Sequence, residues 1–94
     1  MLHENRKKGS FVVLNEKGLH TRPATELVKA ISKYKSNITL SYGGLSVNAK
    51  SLLGILMLAA CRGARVKVEV TGDDAEACYD EILKLSKKKF MMHY

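Results

Sequence analysis

The residue pattern with the clearest chemical content is Gly18-Leu19-His20-Thr21-Arg22-Pro23-Ala24-Thr25. An imidazole titrates near neutrality, so one ring nitrogen is available as a nucleophile. Arg22 lies two residues on and can make charge-assisted contacts to phosphoryl oxygens. Thr21 and Pro23 mark the start of a helix, since proline is tolerated in a first turn where its missing N–H costs nothing. The outward N–H groups of that turn suit an anion. Gly18 lets the backbone bend and present the ring, and Lys17 adds a cation beside it. Nucleophile, helix end and guanidinium thus fall within five residues. Taken alone, His-x-Arg-Pro is also compatible with a helix-start histidine and a solvated arginine. No second His, Cys or carboxylate stands at ligand spacing, so no metal is expected. A Ser-His-Asp hydrolase needs a pocket and supporting fold that a chain this short hardly provides.

The elements that must position this segment follow from periodicity. Ser10–Asn15 is β-branched and aromatic and reads as a buried strand. Ala24, Leu27, Val28 and Ile31 recur at helical spacing, which places a helix at about 21–34. Residues 37–42 alternate, with Ile38, Leu40 and Tyr42 on one face. Gly43-Gly44 is a two-residue hairpin signal, and the chain returns through 45–48 with Leu45 and Val47 inward. Ser51 can cap a second helix over Leu52–Ala60, ended by Arg62-Gly63. Arg65–Val70 alternates valines with charges. Asp73 and Glu76 resemble a capping box before a third helix with Ala75, Cys78, Ile82 and Leu85 inward. Residues 90–94 are expected to fray or pack loosely. The order β-α-β-β-α-β-α implies an α+β domain, an open-faced sandwich in which three helices cover one face of a four-stranded antiparallel sheet.

The 94 residues suit one domain, 1–94, with its core at about 10–88 and basic tails at both ends. The hydrophobic fraction of 46% excludes a disordered composition. The longest apolar run, Leu52–Cys61, is about half of the ~20 residues a membrane span needs. The N-terminus lacks the apolar core of a secretory signal, so a cytosolic location is expected. Cys61 and Cys78 read as packing residues, and His3 and His93 as solvated tail residues. Of the formal charge of +7, residues 1–9 carry +2 and residues 84–94 carry +4, leaving +1 for the body. Such tails add weak attraction to a polyanion without defining a groove reader. A nucleic-acid-binding module would also need aromatic residues on an open sheet face. Phe11, Tyr34, Tyr42, Tyr79, Phe90 and Tyr94 fall instead at core positions or chain ends.

Residues 18–24 resemble the active-site signature of the HPr family, the histidine phosphocarriers of the phosphoenolpyruvate:sugar phosphotransferase system. Asn48-Ala49-Lys50-Ser51-Leu52-Leu53-Gly54 resembles the regulatory serine motif of the same family. Both motifs occur in the family order, about 30 residues apart, and the resemblance spans roughly residues 10–88. It implies a covalent carrier that is a substrate of enzyme I rather than an enzyme itself, and that needs no cofactor. Phospho-enzyme I would phosphorylate His20 at Nδ1, Arg22 would steady the phosphate, and a IIA protein would receive it. It further implies regulatory phosphorylation of Ser51 by an HPr kinase/phosphorylase, in hosts that have one. Leu52, Leu53 and Leu56 would form a docking patch rimmed by Arg22, Thr25, Lys29 and Lys50, with Ile55, Met57 and Leu58 in the core. A monomer is expected, with neither membrane nor nucleic acid as primary partner. Lys17 and Arg65 depart from the family pattern, which leaves open a nitrogen-type or other regulatory phosphorelay in place of sugar transport.

Overall fold

A computed structural model describes residues 5–93. The alternation read in the sequence becomes four antiparallel strands: β1 (Arg6–Val12), β2 (Asn37–Tyr42), β3 (Leu45–Asn48) and β4 (Arg65–Thr71). Their spatial order is β1-β4-β2-β3. Period-2 alternation sends Phe11, Ile38, Leu40, Val66, Val68 and Val70 to one face, where all are buried. Three helices cover that face: α1 (Thr21–Ile31), α2 (Leu52–Met57) and α3 (Ala75–Lys87). Each contributes an apolar stripe to the same core, Ala24, Leu27 and Ile31 from α1, Ile55 from α2, and Ala75, Cys78 and Ile82 from α3. The other sheet face is left to solvent. Gly43 and Gly44 have φ of 61° and 83°, the pair of positive values that a two-residue hairpin of this twist requires.

Several boundaries differ from the sequence expectation, each for a local reason. Strand β1 begins at Arg6 rather than Ser10 and ends at Val12, so Arg6, Lys7 and Lys8 belong to the sheet. Ladder pairing with β4 outweighs their charge, and neighbours compensate it: Arg6 pairs with Glu69 at 3.0 Å, and Lys7 lies 5.8 Å from the centre of the Tyr79 ring. Helix α1 stops at Ile31, three residues early, and α2 stops at Met57 rather than Ala60. Ala59 takes φ 50° just after α2, so the chain turns there and Gly63 is not the cap. Met57, expected in the core, is 61% exposed, because so short a helix buries only one side. Leu45, expected inward, is exposed on the edge strand β3. His93 is exposed, as is Cys61, whereas Cys78 is buried and burial pushes its thiol up to about 11. His3 and Tyr94 lie outside the described residues.

The expected capping box is replaced by a longer-range device. The N-cap of α3 is Asp74, and its carboxylate makes no bond to its own helix. It accepts from the backbone N–H groups of Lys35 (2.8 Å) and Ser36 (3.0 Å) and from the Ser36 hydroxyl (2.5 Å). This fastens the loop after α1 to the start of α3. The same bonds, that from Ser36 foremost, hold the Asp74 carboxyl below the usual carboxylate range.

The C-terminal segment does not fray. Lys89, Phe90 and Met91 form a left-handed turn with φ of 53°, 53° and 68°. Left-handed backbone costs on the order of 1–2 kcal/mol per residue, and burial of Phe90 offsets it. The ring is fully buried, edge-on to Phe11 at 5.6 Å between centres. The Lys89 carbonyl accepts a 2.8 Å bond from Nδ2 of Asn15, in the loop that leads to His20.

Phe90→Ala is expected to destabilise the fold by about 3–5 kcal/mol, read by denaturant unfolding. A loss under ~1 kcal/mol would show that the tail packs loosely. Asp74 has a lowered folded pKa, so its stabilisation is complete above the unfolded value of ~4 and is lost as pH falls through the folded value. The gap in Tm between wild type and Asp74→Ala should therefore be widest near neutral pH and close in acid. A pH-independent gap would contradict the assignment.

Candidate functional site

The loop carrying the histidine is held by backbone bonds, beside the bond of the Asn15 side chain to Lys89 O. Val13 N–H donates to Ala64 O (2.9 Å), Gly63 N–H to Val13 O (2.8 Å), and Leu19 N–H to Ala60 O (2.9 Å). The loop preceding α1 is thus laced to the loop following α2. Gly18 sits at the closest approach with φ +72°, and a Cβ there would stand 2.5 Å from the Ala60 oxygen and 2.9 Å from the Cys61 Cα. Leu19 turns inward and is buried, and the next residue, His20, is half-buried at the cleft with its Nε2 out of reach of solvent.

His20 is the N-cap of α1, with extended backbone, and its carbonyl accepts from Ala24 N–H at 3.0 Å. Its ring makes no side-chain capping bond. No acid occupies the first turn of α1, so no carboxylate neutralises the positive helix end. Pro23 is buried within that turn, while Thr21 and Arg22 are exposed. The Thr25 hydroxyl donates to Thr21 O at 2.7 Å, which keeps it on the first turn. The ring opens onto a shallow cleft of about 220 Å³, lined also by Lys17, Leu19, Leu56 and Ala59 to Cys61. A nucleophile at the rim of an open, partly cationic cleft beside a helix start can exchange an anionic group with another macromolecule. The cleft is too open to enclose a small substrate.

Ser51 caps α2 as read from the sequence: its hydroxyl oxygen accepts from Gly54 N–H at 3.0 Å. Leu53 is 69% exposed, and with Met57 one turn on it forms an apolar stripe facing outward. Leu52 and Leu56 are half-buried against the core, and Ile55 and Leu58 are inside it. The expected basic rim is less open than its composition. Lys50 Nζ donates to Tyr34 O at 2.5 Å, and Lys29 pairs with Glu26 at 3.3 Å.

Ala59, Ala60 and Cys61 are cleft residues that the sequence reading missed. The signal was present in the small side chains after α2, which permit backbone contact with Gly18. No aromatic side chain of the described residues lies on the open sheet face. Phe11 and Phe90 are buried, and Tyr34, Tyr42 and Tyr79 pack against the core, so the stacking platform of a single-strand reader is missing. No helix among the described residues is long and apolar enough to cross a membrane.

Comparison with known proteins agrees with this geometry. Residues 7–88 match the family model of the phosphotransferase-system HPr component phosphorylation site. The phosphocarrier protein HPr of Xylella fastidiosa (strain 9a5c) is 39% identical over 80 residues, which are 85% of this chain and 90% of that protein. The crystal structure of HPr-C-His from Thermoanaerobacter tengcongensis superposes with a TM-score of 0.88 at 35% identity, over 94% of this chain and 99% of that one. An HPr dimer from the same organism gives 0.72 at 38% identity, over 85% and 92%. Fold and comparisons together define a small α+β domain of the phosphocarrier class. The chain belongs to the HPr family of phosphotransferase-system phosphocarriers.

Ser51→Ala removes the cap of α2 and should cost about 1 kcal/mol by denaturant unfolding. Ser51→Asp should recover most of that loss, because a carboxylate can accept the same N–H. Equal losses in both variants would show that the hydroxyl does not cap the helix.

Proposed function

We propose that this chain accepts a phosphoryl group on Nδ1 of His20 from phospho-enzyme I and passes it to a IIA protein. The observation that carries the reading is the placement of His20: a half-buried ring, its Nε2 covered, at the start of a helix without first-turn acids and on the wall of a shallow, open cleft. The Nδ1 lone pair attacks phosphorus in line as the donor–phosphorus bond breaks. The electron pair of that bond leaves with the donor, and a P–N bond forms on His20. The reverse sequence delivers the group to the acceptor. A phosphoramidate keeps a high transfer potential, so both steps are close to balanced. The helix end and Arg22 steady the phosphoryl oxygens, with Gly18, Thr21 and Pro23 shaping the turn and Lys17 adding charge. The proposed exchange calls for no cofactor, and on this reading the chain works in the cytosol as a monomer between encounters.

Docking falls to the Leu53 and Met57 stripe, with Leu52, Leu56, Thr25, Lys29 and Lys50 around it. Exposed apolar area beside cations fits transient partners. Ser51 lies at the edge of this patch and is the proposed site of regulatory phosphorylation. A phosphate there adds charge of about −2 next to the docking surface.

The test is incubation with enzyme I, magnesium and labelled phosphoenolpyruvate. Acid-labile, base-stable label is expected on the wild type and none on His20→Ala. Arg22→Leu should be labelled at least about tenfold more slowly, a loss of ~1.4 kcal/mol in the transition state. Equal labelling of His20→Ala, or none in either protein across several enzymes I, would overturn the reading.

A further inference from the structure

The side of the sheet away from the helices is a built surface of its own. Strand register assembles its side chains into rows that cross the sheet. One row runs Ser10, Lys67, Ser41, Ser46 through consecutive strand partners. The next runs Lys8, Glu69, Thr39, Asn48. The first thus presents three hydroxyls around one ammonium. The Ser41 and Ser46 hydroxyls bond each other at 2.7 Å, and Arg65 Nη1 donates to the Ser10 hydroxyl at 3.2 Å. Two adjoining depressions of about 300 and 380 Å³ meet at Ser41 and Lys67. Across the described residues of this face, the cations Arg6, Lys8, Arg65 and Lys67 stand against a single acid, Glu69, which is held by Arg6. None of these residues lines the His20 cleft.

We infer that the open sheet face is a second docking surface, which takes an acidic, Asp- and Glu-rich segment of a partner protein. The charge balance calls for an anionic partner, and two observations choose its class. The face has no aromatic side chain on which a base can stack, which disfavours single-stranded nucleic acid. Four strands at about 4.8 Å spacing make a flat surface ~14 Å across between outer strand axes, without side chains. A major groove of ~12 Å does not admit that width, so duplex contact is limited to its backbone. Carboxylates spaced along a protein segment match Lys8, Lys67 and Arg65. Its backbone N–H groups match the Glu69 carboxylate, and the serines serve either sense. Because the two surfaces share no residue, a protein held here leaves the His20 cleft available.

The test is titration of isotopically labelled full-length protein with a short Glu/Asp-rich peptide, followed by amide chemical shifts. Shifts are expected along Lys8, Ser10, Ser41, Ser46 and Lys67, decreasing with added salt. Lys8→Gln with Lys67→Gln should weaken binding about fivefold, the scale of two exposed ion pairs. Lys84→Gln with Lys87→Gln removes the same charge from α3 and should change binding by less than about twofold. Shifts centred on α3 or on the His20 cleft would overturn the inference. So would equal weakening by the two double variants, or displacement of the peptide by a duplex or single-stranded RNA that binds the face more tightly. Absence of any shift at low salt would refute it outright.

Discussion

The backbone contact between Gly18 and the Ala60–Cys61 segment is the constraint on which the site depends. Two loops from different parts of the chain meet there with no side chain between them, since even one Cβ would stand 2.5 Å from a carbonyl oxygen. The contact fixes Leu19 through its bond to Ala60 O, and with Leu19 turned inward His20 lines the cleft. It also explains the left-handed backbone at Ala59, where the chain leaves α2 sharply enough to bring Ala60 into register. A ring proposed to meet two partners in turn gains from being held this way. Main-chain bonds on both sides of the ring set its position.

The opposite end of α1 is fixed by side chains. Tyr34 donates its hydroxyl to Glu81 at 2.5 Å, and Lys33 pairs with the same carboxylate at 3.2 Å. The bond to Glu81 pushes the Tyr34 phenol up to about 12 and lowers the Glu81 carboxyl, two signs of one interaction that keeps the proton on the phenol. Lys50 closes on the Tyr34 carbonyl, and Asp74 gathers the N–H groups of Lys35 and Ser36. A helix with the proposed phosphoryl acceptor at one end gains from resisting the torque of docking at that end. Anchoring the other end to α3 and to the start of α2 supplies this. Lys50 stands next to Ser51, so the anchor and the cap of α2 are neighbours in sequence.

Sequence alone made the element order, the hairpin at Gly43-Gly44, the buried valines of β4 and the cap at Ser51 legible, because each is written in local pattern. The misses are tertiary. A run of Arg6, Lys7 and Lys8 reads as a solvated tail until a partner strand offers ladder bonds and Glu69 offers a counter-charge. Phe90 reads as a loose end until a turn of three left-handed residues brings it to Phe11, and no local preference announces such a turn outside glycine. Asp74 was passed over for Asp73 because its partners lie almost 40 residues away. At the site, His20, Arg22 and Gly18 were legible from spacing and resemblance. The cleft wall at Ala59 to Cys61 was not, because a contact between backbones leaves only small side chains as its trace.

A single sheet with helices on one side carries two kinds of information on one set of strands. Inward positions are constrained by packing, and a charge among Val66, Val68 and Val70 would be costly. Outward positions meet no such constraint, so cations there are not needed for the fold. The chain as a whole has 16 basic residues to 9 acidic ones, and this face has four to one. Elsewhere the protein mixes them: Glu26 beside Lys29, Glu81 beside Lys33, acids early and lysines late along α3. The sheet face concentrates one sign, as the lysines of residues 84–89 do, and it does so in register across neighbouring strands. Self-repulsion among exposed cations weakens the fold slightly, and Glu69 relieves it only at Arg6. A surface that carries this repulsion without a packing reason is accounted for by what it attracts.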